Sequence, residues 1–327
     1  MPRSAPFAAR AAGSPVSTGR RRLLGGAAAL PAAAAAAGLL GTTRRAAAIE
    51  APSTPSANAV GVGDFSVATL LAGTRVVPDP HTIFGLDVAD EAFAEASREA
   101  FLPTDSSRFY FTPTVLEANG ETILFDTGLS AEGIVGALAD AGLSAGDVDV
   151  VVLTHMHGDH VGGLTGEDGS TTFENARYVT GRVEYDAWAK MENETFEAKV
   201  RPLAERMSFL EDGDEVASGV TAMAAFGHTP GHMIYRLESN GQGLVLFADT
   251  ANHYVWSLGY PDWEVKFDMD KAAAAETRRR VLEMLASERL PFVGYHMPFP
   301  GMGFVEAGGG DRAYRYVPVS YQFALEG

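Results

Sequence analysis

Apolar positions along this chain recur with two periods, about 2 and about 3.6 residues, and their order lays out the elements. Residues 65–77 and 114–125 alternate apolar and polar side chains as half-buried strands do, and Asn119-Gly120 inside the second stretch is the dipeptide that closes a two-residue hairpin. Between them, residues 87–101 carry Val88, Ala92, Phe93, Ala96 and Ala100 on one helical face. Asp90, Glu91, Glu95, Arg98 and Glu99 fall largely on the other, the pattern of a surface helix. Residues 131–141 are Ala-rich and close at Gly142, which predicts a helix feeding the short buried strand of the apolar run 148–153. A strand at 177–180 precedes a mostly helical stretch over 183–210. Strand patterns return at 220–226, 233–238 and 244–247, and a helix over 270–287 leads to a strand at 292–295. Sheets and helices alternate in two halves, so periodicity alone gives an α/β or α+β chain.

The first 48 residues break this pattern. They hold seven arginines and no acid, with Gly19-Arg20-Arg21-Arg22-Leu23-Leu24 followed by an Ala/Gly-rich apolar run to Leu40. Arg44-Arg45 then leads into the small-residue cleavage pattern Ala46-Ala47-Ala48. The segment resembles a twin-arginine export signal, which predicts a periplasmic or secreted protein with no membrane anchor once the segment is cut near Ala48. An uncleaved anchor and an organelle transit peptide are the alternatives, and Pro31 together with the scarcity of Leu, Ile and Phe weakens the anchor. Residues 49–62, rich in Pro, Ser, Ala and Asn, read as a disordered lead-in, and residues 63–327 as one domain long enough to bury a substantial core. Losing the seven arginines takes the formal charge from −17 to −24, a surface that repels phosphate backbones and disfavours nucleic acid as a partner. The absence of cysteine removes disulfides, thiolate ligands and thiolate nucleophiles together.

Candidate chemistry concentrates just after the apolar run 148–153. In Thr154-His155-Met156-His157-Gly158-Asp159-His160-Val161-Gly162-Gly163, three of the chain's eight histidines fall within six residues, a density that packing alone rarely produces. Imidazole nitrogen and carboxylate oxygen are the donors a borderline divalent ion takes, and the paired glycines are expected to let the backbone turn tightly enough to aim them inward. One open tetrahedral ion takes three protein ligands, so His155, His157, Asp159 and His160 are too many for one and call for a second. Downstream, His228, Asp249 and His296 each follow or end a short apolar run, as if successive strands each deliver a ligand to the same sheet edge.

These segments resemble the metallo-β-lactamase superfamily in its dinuclear, hydrolytic branch, and within it methyl parathion hydrolase and its relatives. The likeness rests on the His-rich motif, Gly63-Asp64-Phe65, Phe125-Asp126-Thr127-Gly128, Gly227-His228-Thr229-Pro230-Gly231-His232, His296 with Phe299-Pro300-Gly301, and Tyr316-Val317-Pro318-Val319. It implies an αββα sandwich with two divalent ions, zinc foremost, at the edge between the sheets. His155, His157 and His228 would hold one ion and Asp159, His160 and His296 the other, with Asp249 bridging. The same likeness gives Asp126 and His232 supporting places, makes Trp188 and Phe196 pocket residues, and suggests a homodimer. Trp256, in the aromatic cluster that follows Asp249, is the third candidate for binding substrate.

The reaction expected is hydrolysis of an uncharged ester-type bond (a lactone, an aryl ester or a phosphotriester) in a small molecule by a metal-bridging hydroxide, with Asp159 orienting that nucleophile or moving its proton. A β-lactamase or a thioester hydrolase on the same site is the alternative, and a metal-stabilised binding protein a remoter one. The zinc β-lactamases use a cysteine or lack the bridging aspartate, an export signal argues against cytoplasmic thiol substrates, and a binding protein is expected to have lost a ligand. A redox di-iron protein is expected to carry a carboxylate at one of the first two histidine positions, where His155 and His157 stand.

Overall fold

Apolar runs in this chain serve two cores at once, because successive side chains of a strand leave opposite faces. In the computed structural model, which describes residues 56–320, Val150 and Val152 enter one core cluster while Val151 and Leu153 enter another. Leu244 and Leu246 part in the same way from Val245 and Phe247. The expected export signal, residues 1–48, lies outside the described residues.

The first half consists of β1 (Ala57–Val62), β2 (Phe65–Leu70), β3 (Gly73–Pro78), α1 (Asp90–Glu99), β4 (Ser106–Phe111), β5 (Thr114–Ala118), β6 (Glu121–Phe125), α2 (Ala131–Asp140), β7 (Val150–Leu153), α3 (Gly158–Val161), β8 (Arg177–Gly181), α4 (Arg182–Trp188) and β9 (Met207–Leu210). Seven of its strands form a sheet ordered β1-β2-β5-β6-β7-β8-β9, antiparallel up to β6 and parallel from β6 to β9. β3 and β4 pair only with each other, as a separate antiparallel ribbon. The second half consists of β10 (Glu215–Ala217), β11 (Val220–Ala224), β12 (Met233–Ser239), β13 (Gln242–Ala248), α5 (Lys271–Glu288), β14 (Phe292–Gly294), β15 (Met302–Ala307) and β16 (Tyr314–Pro318). These strands form a second seven-stranded sheet in chain order, antiparallel except where β13 runs parallel to β14.

The inner faces of the two sheets share a core, with Leu116, Ile123, Val150 and Val152 from one and Tyr235, Leu237, Leu246 and Val293 from the other. α2 covers the outer face of the first sheet through Ile134, Ala137 and Leu138, and α5 covers the second through Val281, Leu282 and Leu285. That is the four-layer αββα sandwich. A fourth cluster ties α1 and the ribbon to the loop after β13, where Phe93, Phe109, Phe111, Val255 and Trp256 meet.

Two expectations are corrected. Residues 57–62 are not part of a disordered lead-in but form β1, with Val60 and Val62 turned into the inter-sheet core; the Pro- and Ser-rich residues just before them obscured the strand. The stretch 183–210 is helical only in pieces, and Met207–Leu210 is β9, a parallel neighbour of β8. β4, β10, β15 and β16 were not anticipated as strands.

Candidate metal centre

Four strand ends converge at one edge of the sandwich. Asp126 follows β6, the His-rich motif follows β7, Asp249 follows β13, and His296 lies two residues beyond β14. The strands of each pair, β6 with β7 and β13 with β14, run parallel, so their C-terminal ends open in the same direction. Two of the side chains are aimed by backbone that L-residues avoid. Asp126 itself has φ 61°, and Ala248, immediately before Asp249, has φ 45°. A left-handed non-glycine residue costs roughly 1–2 kcal/mol, which the surrounding contacts must offset.

Gly162 and Gly163 do a different job from the one expected. Gly162 has ordinary right-handed dihedrals, φ −60° and ψ −31°. A Cβ there would lie 2.3 Å from the Leu129 carbonyl oxygen, and one on Gly163 would lie 2.2 Å from that of Thr127. The pair therefore permits close approach of two backbones rather than a tight turn. Gly163→Ala should destabilise the fold by about 1–3 kcal/mol, because the neighbour it meets is backbone and gives little. An unchanged urea midpoint would remove that account.

The structure brings all seven proposed ligands together. Ring nitrogens of His155 (Nε2) and His157 (Nδ1) lie 3.1 Å apart, and His157 Nδ1 lies 3.0 Å from His228 Nε2. Asp249 Oδ1 is 3.3 Å from His160 Nε2, while its Oδ2 is 3.3 Å from His228 Nε2 and 3.2 Å from His296 Nε2. Asp159 Oδ2 stands 3.4 Å from His296 Nε2. The donors fall into overlapping trios: His155, His157 and His228; His155, His160 and Asp249; Asp159, His160 and His296.

Surrounding groups decide which ring nitrogen faces the centre. His160 Nδ1 donates to Asp126 Oδ2 at 2.8 Å, His228 Nδ1 to Asp268 Oδ1 at 2.9 Å, and His296 Nδ1 to the Tyr110 carbonyl at 2.8 Å. The Thr154 hydroxyl donates to Asp126 Oδ2 and so is left to accept from His155 Nδ1 at 3.0 Å. Each of these four rings then presents the lone pair of Nε2. His232 stays outside the centre, as expected: its Nδ1 donates to the Ala225 carbonyl and its Nε2 accepts from the Asp249 backbone N–H. Glu184, Asp268 and Tyr295 also belong here and were not singled out in the sequence. Buried Glu184 accepts from the N–H groups of Met156 and Gly231 and from the Thr229 hydroxyl, clamping the two histidine loops together. Tyr295 stacks on His160 at 3.9 Å and donates to the Asp159 carbonyl.

These residues fit a pair of divalent ions. Zinc–nitrogen bonds of 2.0–2.1 Å in a tetrahedron set nitrogen–nitrogen edges of about 3.3 Å, close to the spacings in the first trio. Lone pairs so close repel one another unless a cation lies among them. His160 Nε2 and Asp249 Oδ1 are, moreover, buried without any hydrogen-bond partner. Electrostatics divides the cluster. Burial, reinforced by neighbouring histidines, holds His155 well below the usual imidazole range and pushes His157 down to about 3. For His160 and His296 burial acts the same way, but Asp249 and the other carboxylates outweigh it and raise both. A set of imidazoles and carboxylates, without thiolate, suits zinc and its borderline neighbours.

A cleft of about 390 Å³ opens above the cluster. Its floor includes His157, Asp159, Asp249 and His296, and its walls are Val77, Phe109, Phe111, Leu129 and Phe267 with Arg75 at one side. The three aromatic residues expected to bind substrate do not line it. Trp188 packs edge-on against His157, with ring centroids 5.7 Å apart, and therefore supports a candidate ligand from behind. Phe196 is fully buried beside Tyr185 in the outer core of the first sheet. Trp256 is buried in the fourth cluster and donates its indole N–H to Ser97 Oγ. Of the aromatic run after Asp249, Phe267 is the member that reaches the cleft.

Comparison with known proteins places this arrangement. The chain is 29% identical over 164 residues to an N-acyl homoserine lactonase of Bacillus cereus, covering 50% of this chain and 61% of the lactonase. It is 27% identical over 141 residues to the exodeoxyribonuclease WalJ of Streptococcus pneumoniae, covering 41% of this chain and 48% of that protein. The chain thus spans less than two thirds of either relative. Among solved structures, AidC, a dizinc quorum-quenching lactonase, superposes with a TM-score of 0.75 at 21% identity over 81% of this chain and 98% of its own. The hydrolase AbOPH superposes with a TM-score of 0.74 at 23% identity over 83% and 99%. Both show the same fold. The family model for the metallo-beta-lactamase superfamily matches residues 112–296, more than half of the chain and every residue of the cluster, and the protein belongs to that superfamily.

Proposed function

We propose that this chain is a metal-dependent hydrolase of small uncharged ester-type substrates, foremost a lactone carrying an apolar acyl group, with aryl esters and phosphotriesters as slower substrates. What carries this reading is the cleft: an apolar-walled space of about 390 Å³ whose floor is the cluster of metal donors. That volume suits a small molecule. Nucleic acid, the substrate class named for the exodeoxyribonuclease relative, needs a run of basic side chains, whereas this chain carries a formal charge of −17 and, among the described residues, Arg75 is the one Lys or Arg lining the cleft. The lactonase names of other relatives agree with the apolar walls.

In this reading His155, His157 and His228 hold one ion, Asp159, His160 and His296 the other, and Asp249 serves both. When bound, the ions supply Lewis acidity and lower the pKa of water from 15.7 to about 7, so that hydroxide is available at neutral pH. The protein's own groups do the rest. Phe109, Phe111 and Phe267 hold the acyl part and exclude water, leaving the carbonyl toward the floor. Asp159, whose side chain is 25% exposed where that of the shared carboxylate, Asp249, is 4%, faces the substrate. Its carboxylate takes the proton of the attacking water on the oxygen not turned to the donors and returns it to the alkoxide that leaves when the ring opens.

Hydrolysis of a homoserine lactone series with acyl chains of four to twelve carbons, compared with aryl esters, phosphotriesters, phosphomonoesters, a β-lactam and single-stranded DNA, tests the reading. The neutral esters should lead. Phe109→Ala should raise KM for long acyl chains about 10-fold while leaving the shortest nearly unchanged, since only apolar contact is lost. A preference for DNA or a phosphomonoester, or an equal loss across chain lengths, overturns it.

A further inference from the structure

The β3–β4 ribbon has a second compartment behind it. Arg75, Val77, Phe109 and Phe111 face the metal cleft, while Val76, Arg108 and Tyr110 line a separate groove of about 460 Å³, with His253, Tyr254 and Trp256 on its opposite side. His253 is only 5% exposed. Its Nδ1 accepts from the backbone N–H of Val255 at 3.1 Å and of Trp256 at 3.2 Å, so the ring proton sits on Nε2. Among the described residues Nε2–H has no acceptor, and His253 is otherwise sandwiched by Trp256 at 4.0 Å and Tyr254 at 4.6 Å. Burial pushes the imidazole pKa down to about 3, which keeps the ring a neutral donor. That donor is left to the open groove that His253 lines.

The rest of the lining has one character. Among the described residues Arg108 pairs with no carboxylate and donates only to the Thr74 hydroxyl at 3.2 Å, and no Asp or Glu among them lines the groove, in a chain whose formal charge is −17. Leu102, Pro103 and Trp256 add apolar surface. We propose that this groove is a second ligand site, separate from the metal cleft, for a monocarboxylate with a flat apolar body, its oxygens accepting from His253 Nε2–H and the Arg108 guanidinium. Tyr110 links the two compartments. Its side chain lines the groove while its carbonyl accepts from His296 Nδ1, so occupancy of the groove bears on a residue of the metal centre.

The probe is 4-bromophenylacetate, titrated calorimetrically into the metal-loaded full chain and soaked into its crystals, where the bromine is located by anomalous scattering. The bromine should appear between Tyr254 and the ribbon. Exposed Arg108 is a safe position to change, and Arg108→Ala should weaken binding at this site at least about 10-fold through loss of a charge-assisted hydrogen bond. The neutral amide of the same acid should bind similarly weakly. Bromine density confined to the metal cleft, or an affinity unchanged by Arg108→Ala, overturns the proposal.

Discussion

Replacing Asp249 by alanine is expected to lower kcat/KM by at least about 1,000-fold, equivalent to about 4 kcal/mol of transition-state stabilisation. The same change should take the bound metal from about two ions per chain to about one. Asp249 is the one carboxylate within 3.3 Å of His160, His228 and His296 alike, so it touches donors of both proposed sites. His155, His157 and His228 remain in the variant as a complete trio for one ion. Elemental analysis of the purified variant, beside its steady-state kinetics, separates the outcomes. Two ions retained with near-normal turnover would show that Asp249 does not join the sites.

The largest effect on stability is expected at Arg278, on α5 and 1% exposed. Its Nε donates to the Thr250 carbonyl, one NH group to the Pro261 carbonyl, and the other to Asp268 Oδ2 at 2.6 Å. Asp268 in turn orients His228. Burial by itself would raise the Asp268 pKa, but His228 and Arg278 outweigh it and hold the carboxyl below its usual range. Arg278→Met keeps most of the volume and strands a buried carboxylate, at a cost of roughly 3–5 kcal/mol. Arg278→Lys should recover only part of this, because an ammonium does not span the donors of a planar guanidinium. Urea unfolding of both variants decides the matter, and a loss below about 1 kcal/mol for Arg278→Met would show the pair to be dispensable.

The donor cluster was legible in the sequence because its signal is local. Four of the seven residues lie within six positions, and the other three each close an apolar run. The cleft was not legible, for a matching reason. In β4 the aromatics Phe109, Tyr110 and Phe111 are consecutive, so the alternation that sends Phe109 and Phe111 to one face and Tyr110 to the other is invisible without the partner strand. Trp188 and Trp256 were more conspicuous, yet both serve packing. Glu184 and Asp268 look like ordinary surface acids in the sequence; one joins a loop 28 residues before it to one 45 residues after it, and the other meets a histidine 40 residues away. β1 was obscured by the Pro- and Ser-rich residues before it and by its small side chains, although Val60 and Val62 alternate onto the core face.

The family match begins at residue 112, one position after β4 ends. Everything that would hold metal lies inside the matched segment, while the ribbon wall formed by Arg75, Val77, Phe109 and Phe111 lies before it. The ribbon pairs with neither large sheet, so its sequence can drift without disturbing a ladder that carries a donor. In the proposed reading, part of the substrate wall therefore lies outside the segment that carries the donors, while Leu129 and Phe267 lie inside it. If the proposed substrate class holds, substitutions in the hairpin at 73–78 and 106–111 are expected to change which ester is taken while leaving every candidate metal donor in place.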